Sequence, residues 1–271
     1  MTAALGPAHA QQRRGLADPM RLGVDSALVD SGFAAALLRG FGHETGIAIK
    51  PAGGPALALL QALERGEIDA VLTNTPGAEI ETEKQGFAHE RTLVAISEFV
   101  IVGPVPTPTG KGKGKGKVKV KPRDVAGLIG LRDAVEALQR LRDATAGEDA
   151  IRFVSANDGS GTHVLEQALW RSAKIAPAPP WYVAAEGAAA VLRQARQIAA
   201  YALVERGVWS AHGGVPLAML VQGDPALHVP VHVMRGFRTN HPATRLFFKW
   251  TVGLKGRAII AAQSGYRVPP G

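Results

Sequence analysis

Residues 22–41 read LGVDSALVDSGFAAALLRGF and residues 151–170 read IRFVSANDGSGTHVLEQALW, and these two stretches decide the fold. Each begins as a short apolar strand, passes through small or polar residues to a Ser-Gly pair, and ends as an amphipathic helix. The two units lie about 130 residues apart. Their common design predicts two α/β lobes, with two helix N-termini facing any ligand between them.

Strands and helices alternate around the first unit. Apolar strands are predicted within 20–26, 47–50 and 68–76, with helices between them. Pro55 suits the first position of a helix, and Gly66 falls where that helix ends. This β-α-β-α-β order with short connections predicts a mostly parallel sheet flanked by helices.

The bulk composition is that of a globular protein. The chain has 271 residues, of which 46% are hydrophobic and 20% charged, and no apolar run approaches the length of a membrane span. The net charge is +8, but residues 111–123 alone carry seven positive charges. We interpret 109–123 as a flexible Gly/Lys insertion and expect no nucleic-acid partner, since the tract lacks aromatic stacking residues.

The N-terminal segment contains a pattern typical of the end of an export signal. Ala8-His9-Ala10 matches the small-x-small pattern before a secretory cleavage point, although the charged start and apolar core of a leader are missing. Residues 1–19 are therefore interpreted as a truncated signal peptide from a chain that starts upstream, or as a disordered tail. The absence of cysteine is compatible with either compartment.

The segment FVSANDGSGTH (153–163) has the features of an anion site. A helix N-terminus offers free N–H groups and partial positive charge, to which Ser160 and Thr162 add hydroxyl donors. Gly159 and Gly161 allow the backbone to approach a ligand closely. The alternative is that Ser160 only caps its own helix.

Motifs for catalysis and metal binding are absent from the sequence. DGSGT lacks the glycines of a nucleophile elbow, no P-loop is present, and there is no His-Glu-x-x-His. His228 and His232 share a strand face without an evident third ligand, so structural roles are expected for them. His163 is expected to point away from Ser160. The chain is thus predicted to be no enzyme and to need neither cofactor nor metal.

Several stretches together resemble the tungstate-binding proteins of ABC uptake systems, a branch of the type II periplasmic solute-binding proteins. They run in that family's order from about residue 21 to 262, and they include DSGFAAALL, HETGI, LERGEIDAVLTNTP, EFVIVGP, FVSANDGSGTH, YALVERG, QGDPAL and HPATRLFFKW.

The resemblance implies a two-lobed receptor joined by a two-strand hinge. Lobe one would comprise 20–102 and 205–271, and lobe two 103–204. EFVIVGP would be the first hinge crossing. Such receptors hold an oxyanion between the lobes and deliver it to the permease subunits of an ABC transporter. The resemblance also implies a periplasmic location, and we expect a monomer.

The chain departs from the family pattern in the expected site. The family's first-lobe loop is rich in threonine and serine, whereas here it reads VDSA, with Asp25 beside Ser26. Ala156 stands where the family usually has an arginine. Losing a cation and gaining a carboxylate both disfavour a doubly charged anion.

Three outcomes remain open for the cleft. It binds a tungstate- or molybdate-like oxyanion with Asp25 turned away, it binds a different polar or cationic solute through Asp25 and Asp158, or it is degenerate and the protein is a partner-binding sensory module. The candidate ligand-binding residues are Asp25, Ser26, Ala27, Gly53, Gly54, Asn74, Asn157, Asp158, Ser160, Gly161 and Thr162.

Overall fold

The computed structural model describes residues 14–105, 107–108, 122–147, 151–185 and 187–270. The first part contains β1 (Met20–Asp25), α1 (Ser26–Asp30), α2 (Phe33–Thr45), β2 (Ile49–Gly54), α3 (Ala56–Arg65), β3 (Ala70–Thr73), α4 (Pro76–Lys84) and β4 (Ala88–Pro104). The middle part contains β5 (Thr107–Pro108), β6 (Pro122–Arg123), α5 (Ala134–Ala144), β7 (Phe153–Ser155), α6 (Gly161–Ser172), β8 (Tyr182–Ala184), α7 (Ala188–Gln197) and β9 (Tyr201–Glu205). The last part contains α8 (Arg206–His212), β10 (Leu217–Val221), β11 (His228–Gly236), α9 (Ala243–Val252), α10 (Leu254–Ala261) and β12 (Tyr266–Arg267).

One sheet connects both lobes in the strand order β2-β1-β3-β11-β4-β9-β7-β8. In the first lobe β1 pairs in parallel with β2 and β3, as the alternating sequence predicts. In the second lobe β7 pairs in parallel with β8 and β9. The predicted fold class, two lobes each built on a mostly parallel sheet with flanking helices, is confirmed.

The long strand β4 joins the lobes. Its first part pairs with β11, and its second part, from Phe99 to Val102, pairs with β9. EFVIVGP is therefore a continuous strand that passes from one lobe into the other. The lobe boundaries at 102/103 and 204/205 fall within β4 and near the end of β9, and they stay a prediction.

Each lobe has its own apolar core. Phe33, Phe41 and Phe247 pack on β1 and β3 in the first lobe, while Phe153 and Trp170 centre a separate cluster in the second. Ala27 of α1 belongs instead to a cluster with Val154 of the second lobe. The lobes therefore pack directly on each other through α1.

The Gly/Lys insertion and the N-terminal segment lie only partly within the described residues. The Gly/Lys insertion at 109–123 is described only at 122–123, and the N-terminal segment only from residue 14 onward. Arg14 already contacts the folded body through an ion pair with Asp69, at 2.7 Å. Within the described residues, no helix is long and apolar enough to cross a membrane.

Candidate functional site

The site lies where β1, β2, β3 and β7 end. Carboxyl ends of parallel strands meet at one edge of a sheet, and helices that follow them point their N-termini at that edge. Here α3 of the first lobe and α6 of the second lobe converge across the cleft. The lobes touch at this point, since the Leu57 N–H of α3 donates to the Gly159 carbonyl at 3.2 Å.

Asp25 occupies the centre of this convergence. Its Oδ2 accepts hydrogen bonds from the backbone N–H groups of Ala56 at 3.1 Å and Gly161 at 2.9 Å, and its Oδ1 accepts from Ala27 at 3.0 Å. The residue is completely buried. In the oxyanion hypothesis Asp25 turns away from the cleft; the structure shows the opposite, because three amides attract the carboxylate inward.

Burial raises the pKa of Asp25 to about 6, and the nearby Asp158 adds to the increase. The hydrogen bonds from the Gly161 and Ala27 amides act against this but do not cancel it. Ionisation of Asp25 at neutral pH is therefore unfavourable, and the carboxylate is held by backbone N–H groups, with no cationic side chain of the described residues donating to it.

The first-lobe candidates other than Asp25 have distinct positions. The Ala27 amide faces the Asp25 carboxylate, whereas Ser26 starts α1 and is half-buried. Gly53 and Gly54 end β2 and pair in register with Val24 and Asp25 of β1. All four candidates therefore lie within two residues of Asp25 along the chain or beside it across the sheet.

The second-lobe candidates divide into two groups. Gly161 and Thr162 are buried in the first turn of α6, and the Ser160 Oγ accepts from the His163 N–H as the alternative helix-cap hypothesis predicts. Asp158 accepts from the Ser160 N–H. Asn157 is exposed with a φ of 49°, so its side chain is not buried in the closed cleft with the others.

Ser31-Gly32 of the first lobe does not start a helix at the cleft, as Ser160-Gly161 does in the second lobe. A short helix, α1, precedes Ser31, and the Ser31 Oγ lies 2.6 Å from the Tyr266 hydroxyl. The first-lobe helix that reaches the cleft opposite α6 is α3, not the α2 helix that follows Gly32. The expected pairing of two Ser-Gly helix starts is wrong at this point.

Asn74 lies between the two lobes and is 2% exposed. Among the described residues neither its Oδ1 nor its Nδ2 makes a hydrogen bond of normal geometry, although Asn74 is close enough to Glu205 to lower the pKa of that carboxyl group. A methyl group on Gly161 would lie only 1.7 Å from the Asn74 Oδ1, so the amide side chain packs directly on the first turn of α6. Asn74 is therefore a candidate whose buried amide retains hydrogen-bonding capacity for a ligand near the Asp25 carboxylate.

Sequence reasoning missed Glu205, the last residue of β9. Glu205 is buried, and its Oε2 accepts from the Tyr266 hydroxyl at 2.9 Å. Its Oε1 makes no hydrogen bond of normal geometry within the described residues, although Ser97 and Asn74 are near enough to lower its pKa. Burial raises its pKa to about 8, and Asp25 contributes to the increase. The position was detectable, because Glu205 is a polar residue at the carboxyl end of an apolar strand, the same signal that singles out Asn74.

Other motifs singled out from the sequence have structural roles. The His232 Nδ1 lies 2.8 Å from Oε2 of the buried Glu79, which also accepts from Arg91. His163 points back to its own loop, where its Nδ1 accepts from the Gly159 N–H. In the described ranges no three His, Cys, Asp or Glu residues form a cluster suited to a metal ion.

A sequence profile of the PBP superfamily domain matches residues 15–253. The chain belongs to the PBP superfamily. It is 30% identical to the tungstate-binding protein TupA of Peptoclostridium acidaminophilum, over 88% of this chain and 79% of that one. It is 23% identical to the tungstate-binding protein TupA of Campylobacter jejuni, over 74% and 71% of the two chains.

Solved structures agree with this PBP assignment. The tungstate ABC transporter structure from Geobacter sulfurreducens is 27% identical to the chain and superposes with a TM-score of 0.74, covering 91% of this chain and 99% of the other. The resemblance to tungstate-binding proteins that the sequence indicates is confirmed. In this PBP cleft, converging amides and helix N-termini create a site suited to negative charge.

Proposed function

We propose that the protein is the extracytoplasmic solute-binding receptor of an ABC importer and that it binds a small oxyanion, of the tungstate or molybdate type, between its lobes. The relatives named for tungstate binding and the solved tungstate transporter structure support this function. The proposal includes a periplasmic location and the permease subunits as partners. We also propose that the protein is a monomer and performs no catalysis.

The observation that carries the proposal is the coordination of the Asp25 carboxylate. One oxygen of the charged carboxylate, Oδ2, accepts N–H groups from both α3 of the first lobe and α6 of the second. An oxyanion presents the same kind of acceptor atoms. Because the donors come from both lobes, an anion held by them stabilises the closed form over the open form, which is the basis of transporter recognition.

The geometry around Ser160 supports a binding function over hydrolysis. Its Oγ accepts from the backbone of its own helix, and the neighbouring His163 ring accepts from the Gly159 amide. A serine nucleophile needs a base within hydrogen-bond reach, and His163 uses its Nδ1 elsewhere.

A small cationic solute is the second candidate, favoured by the two buried carboxyl groups of Asp25 and Glu205 in one cleft. The ligand contacts we propose are the residues predicted from the sequence. For an oxyanion the central set is the amides of Ala27 and Gly161 and the side chain of Asn74, and for a cation it is the carboxylates of Asp25 and Asp158.

A thermal-shift screen tests the function. The purified protein is heated with tungstate, molybdate, sulfate, phosphate, organic acids or divalent cations, each compared with chloride salt at equal ionic strength. A ligand at one hundred times its Kd stabilises the folded state by about 2.7 kcal/mol, which raises the Tm measurably. A shift with tungstate or molybdate supports the proposal. Stabilisation by divalent cations alone favours the second candidate, and no shift with any solute contradicts both.

A further inference from the structure

The place that an oxyanion needs is occupied by a side chain of the protein itself. The amides of Ala56 and Gly161 stand at the starts of α3 and α6, helices of 10 and 12 residues, and both bind one oxygen atom of Asp25. An anion cannot take these two N–H groups while the carboxylate holds them. In the closed cleft the anion-binding amides are therefore already occupied, and the anion that occupies them is the carboxylate of Asp25.

An independent observation points to a further molecule at the same point. The buried Asn74 amide contacts Gly161, and among the described residues neither its polar atoms nor the Glu205 Oε1 makes a hydrogen bond of normal geometry. Asn74 and Ser97 lie close enough to Glu205 to lower its pKa, so these contacts are weak rather than absent. A buried polar group without a hydrogen bond costs about 1–3 kcal/mol. Asn74 follows β3 and Glu205 ends β9, so two buried polar side chains from different parts of the fold, without strong hydrogen bonds of their own, lie near the Asp25 carboxylate.

We propose that the Asp25 carboxylate is a built-in competitor for the solute, so that an oxyanion gains the amides of Ala56 and Gly161 only when Asp25 takes up a proton. This inference rests on the proposed oxyanion function and adds a proton requirement to it. The balance is simple: the carboxylate and one proton become a carboxylic acid, and the oxyanion replaces the carboxylate as the acceptor of the amides. The neutral acid then donates its O–H to the bound anion.

The charges around Asp25 favour this exchange. The groups that face it are Asp158 from the loop before α6, Glu205 from the end of β9 and the Tyr266 hydroxyl from β12. None of these is a cation. Burial and the Asp158 charge raise the pKa of Asp25 to about 6, so its protonation near neutral pH costs little.

Calorimetry on the unmodified protein measures the proton directly. Tungstate is titrated at pH 7, 8 and 9, in pairs of buffers that differ in ionisation enthalpy. Above the pKa of Asp25, we expect the affinity to fall roughly tenfold for each pH unit and about one proton to enter the complex per tungstate bound. An affinity that is constant within twofold from pH 7 to 9, with no proton taken up, overturns the inference and leaves the oxyanion function intact.

Variants assign the proton to its residue. Asp25→Ser removes the competitor but keeps a hydroxyl for the Ala27 amide, so we expect tighter tungstate binding at pH 8 and loss of the pH dependence. Asp30→Asn, which removes a carboxylate at the other end of α1, is the matched control and keeps the wild-type pH dependence. Glu205→Gln removes the other buried carboxyl group of the cleft, and a pH dependence that survives in this variant cannot belong to Glu205.

Two outcomes contradict the assignment in different ways. A pH dependence that disappears in Glu205→Gln and persists in Asp25→Ser overturns the role of Asp25. If neither the wild type nor Asp25→Ser binds tungstate, molybdate or sulfate at any pH, the oxyanion function itself is wrong. Should Asp25→Ser fail to fold, the proton count on the wild-type protein still decides between proton uptake and none.

Discussion

Gly161 shows how closely the two lobes approach. Its N–H donates to Asp25 and its Cα packs on the Asn74 amide, where an added methyl group would lie 1.7 Å from Oδ1. Since alanine is a better helix former than glycine, Gly161→Ala does not weaken α6 itself. The clash acts on the closed form of the cleft.

We therefore predict that Gly161→Ala folds normally but closes poorly. Its affinity for tungstate falls at least tenfold, and its radius of gyration in small-angle X-ray scattering exceeds that of the wild type. Gly77→Ala is the control, because Gly77 also lies in the first turn of a helix and a methyl group there meets no atom within 4 Å. Wild-type affinity and an unchanged radius in Gly161→Ala would show that the contact with Asn74 does not limit closure.

At the scale of single residues, the sequence predicts which residues lie together at the site but not the orientation of their side chains. The positions of Asp25, Asn74 and Gly161 follow from the rule that strand ends and helix starts meet at one edge of a sheet. The inward direction of Asp25 depends on amides from α3 and α6, which are 31 and 136 residues away along the chain. Local patterns contain no information about such a contact.

Elements with a clear period or stop signal were predictable. Gly66 ends α3 in the left-handed region with a φ of 76°, and Ser160 caps α6. The sequence predicts Pro55 at the first position of α3, whereas the helix begins one residue later, at Ala56. The five-residue α1 was missed because so short a helix shows no hydrophobic period.

Asp69 ties three elements together just before β3. Its Oδ2 accepts from the Arg21 backbone N–H of β1 and from Arg14 of the N-terminal segment, both at 2.7 Å, and its Oδ1 accepts from the Arg21 guanidinium at 2.8 Å. Burial by itself raises the pKa of Asp69, but the hydrogen bonds and charge of Arg21 outweigh it and hold the pKa below its usual range. The carboxylate thus stabilises the edge of the first lobe.

Asp69→Asn is expected to destabilise the protein by about 2 kcal/mol, as one partner of a partly exposed charge network is lost. The free energy of unfolding in urea measures the change. The effect depends on the ionised carboxylate, and its pKa is lowered in the folded protein, so the wild type also loses stability as the pH falls below the ordinary pKa of aspartate. Glu67→Gln is the control, because Glu67 lies two residues before Asp69 and forms only an exposed ion pair with Arg65. This variant leaves the urea midpoint unchanged. Equal midpoints for Asp69→Asn and Glu67→Gln would contradict the prediction.

At the scale of the whole molecule, carboxyl groups with strongly raised pKa values lie in the interior. The body outside the Gly/Lys tract is nearly neutral, which the composition already shows. Composition says nothing about which carboxyl groups are buried. Glu166 and Glu205 are both buried, and burial raises their pKa values to about 7 and about 8. A stretch such as YALVERG indicates a strand end, but only the packing of both lobes around it excludes water from Glu205.

These two glutamates determine how stability changes with pH above neutrality. The folded protein keeps protons that the unfolded chain releases, so the free energy of unfolding falls as the pH rises through 6.5 to 8.5. His89, His163 and His228 have lowered pKa values and act in the opposite direction, but only below their ordinary value of 6.5. The window above 6.5 therefore reports on the carboxyl groups.

We predict that the Tm falls steadily from pH 6.5 to 8.5, with Glu205 alone contributing about 1.4 kcal/mol per pH unit below its pKa. Glu205→Gln, which still accepts from the Tyr266 hydroxyl, should raise the Tm at pH 8.5 and remove more than half of the slope, because Glu205 keeps its proton up to about pH 8 whereas Glu166 loses its proton near pH 7. Glu83→Gln on the exposed face of α4 is the control and keeps the wild-type slope. Differential scanning calorimetry gives both quantities. A Tm that stays constant or rises across this window would mean that the buried carboxyl groups are already ionised in the folded protein, which would also remove the energetic basis for proton uptake at Asp25.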